Sequence, residues 1–438
     1  MNSKKLSRRD FLRMSGVATA GSILAACAPA GGNSASSSAD DAPSSEPVEL
    51  SLSIVDFVDN TKEVLESEIF PGYEDATITV NYTAWNRYNE EMTTAFAGGV
   101  TPDLFQGGAV WAPQMAKRGW SLALDDYIAG SGDWGWDDWF PALQEDATID
   151  GKVVAIPYRF DIRSLWYRTD LLADAGFDAP PTNWEELREI AKATTQRDGD
   201  KITVEGLHYS GPGGWQNDLQ PYMYFMEMAD GTFLSDDLST CTLDSDPCIE
   251  AMEYIHQLIV EDQVQPYPGF ENQGDLAPIV AGTAAMTFSS THPERIAKQY
   301  APDVLDNLQV TLPLSHHVQA THVWINKWFI SSLSKQPDQT WDLLTYMTSV
   351  ENQEKYSASG QYQPPRQSLG DAEYLTERAK ILFNSTNFAR PYPKHWRLIE
   401  LFRPFAQELE LCLSGQKSPA ETMTATCEAI NAILAEDA

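Results

Sequence analysis

Cysteine, histidine and basic charge are all scarce in this chain, and each scarcity removes a class of function. Its 438 residues hold five cysteines and seven histidines, with no Cys-x-x-Cys pair and no Cys/His spacing of the zinc type, which excludes a thiol redox motif and a structural zinc site. His316, His317 and His322 lie close in sequence, but neighbours on an extended chain point to opposite sides, so at most two are expected to face one ion. Thirty Lys and Arg stand against 63 Asp and Glu, a formal charge of −33. That field repels nucleic acid and anionic headgroups and argues against a polyanionic ligand. No Gly-x-Ser-x-Gly elbow and no Ser/His/Asp or Cys/His set stands out, so an enzyme is not expected. The glycine-rich residues 211–214 lack the Lys-Ser/Thr that follows in a phosphate-binding loop. Long apolar runs are missing too: residues 16–26 are too few to cross a bilayer, and no later run exceeds them.

What is present begins with Ser7-Arg8-Arg9-Asp10-Phe11-Leu12 and ends that opening stretch with Leu24-Ala25-Ala26-Cys27. The paired arginines resemble a twin-arginine export signal, and Leu-Ala-Ala-Cys resembles a lipobox. The resemblance implies removal of residues 1–26 and acylation of Cys27, with the body extracytoplasmic and touching the membrane only through its lipid, at about 0.8 kcal/mol per buried CH₂. Residues 27–47, mostly Ala, Ser, Gly, Asn, Asp and Pro, read as a flexible tether. Beyond it, Cys241, Cys248, Cys412 and Cys427 would sit where disulfides are permitted. Pairing Cys241 with Cys248, and Cys412 with Cys427, closes the shortest loops; free buried thiols are the alternative, because twin-arginine export carries folded proteins.

The remaining length exceeds one core and favours two lobes. Residues 50–58 read as a strand, 61–70 as a helix, 76–82 as an alternating strand, 86–97 as a helix, and 101–105 as a turn entering a third strand. This alternation favours an α/β architecture with helices packed on a sheet. Residues 152–157 and 164–167 are extended again. Thr182 and Glu185 have the spacing of a capping box before a helix in which Trp184, Leu187 and Ala191 share the core face. Further helices are expected over 246–260, 336–348 and 397–434, the last broken at Ser414-Gly415.

Thr101-Pro102-Asp103, Gly119-Trp120 through Ile128, the run from Ile156 to Leu172, Pro180-Pro181, Ala281-Gly282, Ser334-Lys335 and Pro364-Pro365-Arg366 together resemble family 1 extracellular solute-binding proteins of the maltose and trehalose type. The resemblance implies a two-lobed periplasmic-binding-protein-like α/β fold with a hinge and an interlobe ligand cleft. It implies crossings near Arg159, Thr287 and Ile330, with lobe I from 48–159 plus 287–330 and lobe II from 160–286 plus 331–438. It also implies a monomer that delivers a neutral sugar to the transmembrane subunits of an ABC importer, with no cofactor and no metal.

Sugars are held by aromatic faces over C–H patches and by charged groups bonding hydroxyls in the ring plane. Trp85, Trp111, Trp215 and Trp324 fall in loops or strands beside the expected cleft, Trp215 next to a glycine-rich loop that permits close backbone approach. Asp161 and Arg366 match ligand positions of the family. Arg163 shares a strand face with Asp161 and is either a second ligand contact or Asp161's ion-pair partner. Gly108 stands where some relatives place an aspartate, with Gln106 as a replacement. Two rivals are a glycoside hydrolase, drawing on Asp133, Asp137 and Asp138 beside Trp134, Trp136 and Trp139, and a receptor for a metal ion or polyamine. For the first, an acidic helix start with exposed charges is the simpler account.

Overall fold

Apolar residues on alternate positions of strand β1 (Val48–Val55) bury Leu50, Leu52 and Ile54 in the first core. The computed structural model describes residues 48–56, 60–211 and 215–437, with residues 86, 215–217 and 437 described by their backbone only. β1 runs parallel to β2 (Ala76–Thr83) in the register Val48↔Ala76 to Val55↔Thr83. Helix α1 (Trp85–Gly98) follows and stops at Gly99, whose φ of 67° suits a residue without a Cβ. The chain re-enters the sheet parallel to β1 as β3 (Leu104–Gly107). These crossovers bring the carboxyl ends of three strands to one edge, where ligands of open α/β sheets bind.

Strand β4 (Ile156–Ile162) leads directly into β5 (Ser164–Arg168), which belongs to a second sheet. Helices α2 (Trp184–Thr194), α3 (Trp215–Met228) and α4 (Asp246–His256) build the second core around Trp184, Phe225 and Met252. β6 (Met286–Ser289), helix α5 (His292–Tyr300) and β7 (Leu308–Val310) follow, and both strands pair antiparallel with β5. The chain then returns through β8 (Thr321–Ile330), antiparallel to both β3 and β4 in the first sheet. Helices α6 (Pro337–Met347) and α7 (Val350–Gly360) cover that sheet with Trp341, Leu344 and Tyr356. After β9 (Ala389–Arg390), parallel to β8, helices α8 (Leu398–Leu413) and α9 (Pro419–Leu434) close the second core. No described helix is long and apolar enough to cross a membrane.

This packing changes the expected lobe boundaries. Residues 287–310 stay with the second sheet, because β6 and β7 find their hydrogen bonds on β5. Residues 331–438 divide, α6 and α7 packing on the first sheet and α8 and α9 on the second core. The helix starts expected from sequence are present, but the cap near 182 is displaced by one residue. Asn183 caps Glu186 N at 3.0 Å, while the Glu186 carboxylate accepts from Thr182 N and Oγ at 2.7 and 2.8 Å.

The disulfide also differs from the shortest-loop pairings. Cys241 bonds to Cys427, 186 residues away, and Cys241 N donates to Asn431 Oδ1 at 2.8 Å on the same helix. Cys248 and Cys412 are free and buried. Cys248 faces inward from α4 and touches Thr232 O at 3.4 Å, which turns it away from Cys241. Cys27 and the export signal lie outside the described residues.

Candidate functional site

At the carboxyl ends of β2 and β3, Trp85 projects an indole that is 45% exposed and stacks with Trp111 and Tyr88, each at 6.2 Å between centroids. Trp111 itself is buried beneath that stack. A Cβ at Gly108 would fall 2.8 Å from the Trp85 ring, so glycine here makes room for the aromatic stack rather than marking a lost acidic contact. Gln106 is not the substitute either: it is buried, and its Oε1 accepts from Val55 N at 2.9 Å. The loop beyond is fixed by Lys327, whose buried ammonium donates to Ala109 O at 3.0 Å and pairs with Asp146. Burial pulls the Lys327 ammonium below its usual range, opposed by the Asp146 carboxylate.

Strand β8 joins this patch to β4. Lys327 is level with Gly107, and Trp324, three residues back and so about 10 Å along the strand, is level with Asp161. The Arg163 guanidinium lies 5.0 Å above the Trp324 ring, whose Nε1 donates to Tyr392 Oη at 2.8 Å. Asp161 pairs with Arg159 at 3.9 Å, and not with Arg163. Positions 159, 161 and 163 alternate along one face, which brings all three side chains to the same space.

That space is a pair of adjoining cavities sharing Arg163. One, about 730 Å³, has Tyr224, Phe270 and Phe288 among its walls. The other, about 210 Å³, is lined by Arg159, Asp161, Arg163, His292, Arg295 and Tyr362. Burial, then Arg295 and Arg163, lower the His292 imidazole to about 4, with Asp161 opposing. Its Nδ1 therefore serves as acceptor for Arg295 Nη2 at 3.3 Å. At the edge of the glycine-rich loop, Asp218 accepts from Ser210 Oγ and Tyr267 Oη at 2.5 and 2.9 Å. Burial nonetheless raises its carboxyl above the usual range. Trp215 opens α3, but its side chain and residues 212–214 lie outside the described residues.

Arg366 is not in the cleft. Its guanidinium is buried over the Trp139 ring at 3.9 Å and donates to Thr348 O at 2.9 Å, Trp134 O at 2.9 Å and Asp138 Oδ2 at 3.2 Å. Asp138 also accepts from Ser368 N and Oγ at 2.8 and 2.6 Å. The residues from Asp133 to Trp139 are therefore two short 3₁₀ turns held by a buried arginine. The expected acidic helix start takes this form, with Asp133 and Asp137 exposed on the two turns, while Asp138 is held by Arg366 and Ser368.

His316 and His317 depart from the expected opposite orientation. A turn, with His316 N donating to Val318 O at 3.2 Å, replaces the extended chain. Both Nε2 atoms then meet one carboxylate, Glu250, at 2.8 and 2.7 Å. Trp184 stacks on His316 at 3.9 Å. Glu250, His316 and His317 are the one group of three potential metal ligands among the described residues. Glu250 and His316 border a groove of about 1310 Å³ lined by residues of α2 and α4. His322 is elsewhere, buried against Glu227 at 2.5 Å.

Of the contacts expected from sequence, Asp161 and Arg163 line these cavities and Trp85 and Trp324 line neither, while His292, Arg295, Tyr362 and Phe270, which line them, were not among those expected. His292 and Arg295 sit on the first turn of α5, whose pattern reads as an ordinary solvated helix, and only the fold brings that turn to β4.

The family profile of bacterial extracellular solute-binding proteins matches residues 59–354. A putative binding protein of Brucella abortus is 21% identical over 347 residues, covering 78% of this chain and 82% of that protein. A solute-binding protein of Thermotoga lettingae with bound α-D-tagatose superposes with a TM-score of 0.75 at 22% identity, over 88% of this chain and 100% of that one. The sugar-binding protein MalE of Xanthomonas citri gives 0.79 at 19% identity, over 89% and 98%. At such identities the structural likeness speaks to the fold.

Proposed function

This chain belongs to the bacterial extracellular solute-binding protein family, and from that premise we propose that it captures a sugar or oligosaccharide between its lobes and hands it to the membrane subunits of an ABC importer. One observation carries the reading. Asp161 and Arg163, hydrogen-bonding charges at the end of β4, line the smaller cavity, and Arg163 also lines the larger one beside the Phe270 and Phe288 rings, while the exposed Trp85 platform stands at the carboxyl ends of β2 and β3. Charges in the ring plane and aromatic faces across it are the two halves of sugar recognition. Asp161, Arg163, Trp324, Trp85 and Trp215 are the proposed contacts, with Gly108 and Trp111 supporting Trp85. Closure follows because a ligand touching both lobes binds the closed state more tightly than the open one. Cys27 carries the lipid anchor after twin-arginine export, and the receptor acts as a monomer.

A thermal-shift screen against neutral and charged sugars, polyamines and metal ions tests this, with sugar products followed in the same wells. A ligand at one hundred times its dissociation constant adds about 2.7 kcal/mol to stability. Stabilisation by intact sugar supports the receptor; stabilisation by polyamine or metal alone, or cleavage of the sugar, overturns it. Cys27→Ala releases the exported protein from the membrane fraction if the anchor is right.

A further inference from the structure

The smaller cavity contradicts the charge of the molecule that holds it. In a chain with 63 acidic and 30 basic residues, its walls carry three arginines and a single carboxylate, Asp161. Arg159 is engaged by Asp161 at 3.9 Å and by the Tyr362 ring at 3.4 Å. Arg163 and Arg295 have no carboxylate within ion-pair distance among the described residues. The Arg163 Nε is buried with no hydrogen-bond partner there, and Arg295 reaches only the neutral His292 ring. A desolvated guanidinium with idle donors is unfavourable until an anion fills it, and its planar fork favours two oxygens at once. Ser290 and Thr291 add hydroxyls to the same wall.

We infer that the ligand is an anionic sugar, its carboxylate or phosphate oxygens seated between Arg163 and Arg295 while its ring lies in the larger cavity against Phe270 and Phe288. The inference rests on the sugar-receptor reading and narrows its substrate class. Arg163 lines both cavities, so one side chain spans the ring and its charged substituent. The overall negative surface does not oppose this, because charges more than about 10 Å away are screened by physiological salt while the lining arginines are in contact.

Calorimetric titration of the intact protein tests it with matched probes: galactobiose against digalacturonate, and glucose against glucuronate and glucose 6-phosphate. The expected result is at least tenfold tighter binding of an anionic member than of its neutral partner, the uronate or the phosphate arm identifying which anion. Arg295→Gln should reduce that preference to less than threefold while neutral-sugar affinity changes less than threefold, and Arg295→Lys should keep part of it. Equal or tighter binding of the neutral sugars overturns the inference and leaves the sugar receptor standing. No binding of any sugar overturns the receptor reading and the inference with it. A preference that survives Arg295→Gln, in protein whose unliganded melting temperature is unchanged, removes the anion from this cavity.

Discussion

Of the arginines that lie over tryptophan rings in this molecule, Arg366 and Arg163 do opposite things. Arg366 rests 3.9 Å above Trp139 with all three guanidinium nitrogens donating to carbonyls or to Asp138. Arg163 lies 5.0 Å above Trp324 with its buried Nε unused among the described residues. A saturated guanidinium is part of the scaffold, since its donors return the desolvation cost on folding. An unsaturated one keeps that return for a ligand. Stacking geometry alone does not separate the two roles; the count of filled donors does.

The comparison breaks first at Arg366. Arg366→Leu leaves Asp138 and two carbonyls without their donor and should lower stability by about 3–5 kcal/mol in a urea titration, with sugar affinity unchanged. Acid should act next, through His292. Its folded value of about 4 lies below the ordinary 6.5, so as pH falls from 6.5 to 4 the unfolded chain takes a proton that the folded chain refuses. Stability from this group is present above pH 6.5 and declines by about 3 kcal/mol across that window. Arg295→Gln removes one of the charges that depress His292 and should make the decline smaller, measured as melting temperature against pH.

Arg163→Gln sharpens the contrast from the other side. Stability should change by no more than about 1 kcal/mol, while affinity for the ligand found by the thermal screen falls at least tenfold, about 1.4 kcal/mol. The smallest effect belongs to Trp85→Ala, which removes an exposed platform. A loss of about 0.5–1.5 kcal/mol in binding is expected, with Trp111 still packed beneath, and calorimetry would read it.

The order of strands and helices was legible because buried parallel strands leave apolar runs and their covering helices leave a 3.6-residue pattern. Which lobe each segment joined was not. Residues 286–289 choose their sheet by pairing with residues 164–167, more than a hundred positions away, and nothing local in either segment records that choice. Arg366 and Arg163 show the same limit within the site. Both stood beside expected cleft elements, and only the arrival of Trp134, Asp138 and Thr348 around Arg366 distinguishes them. Net charge carries a similar limit: a sum over the chain says nothing of where its few arginines gather.

The Cys241–Cys427 bond encloses 186 residues of sequence separation, and the enclosed stretch includes β8, α6 and α7 of the first lobe. Seen as a mechanical object, the chain is a ring sewn through both halves with two free ends. Pulled by those ends, the oxidised protein should release only the residues outside the ring. Roughly 65 nm of contour, at about 3.5 Å per residue, stays hidden until a reductant opens the clasp. Strands β8 and β9 with helices α6 and α7 would thus be sheltered from tension, while β1 to β4 lie outside the ring.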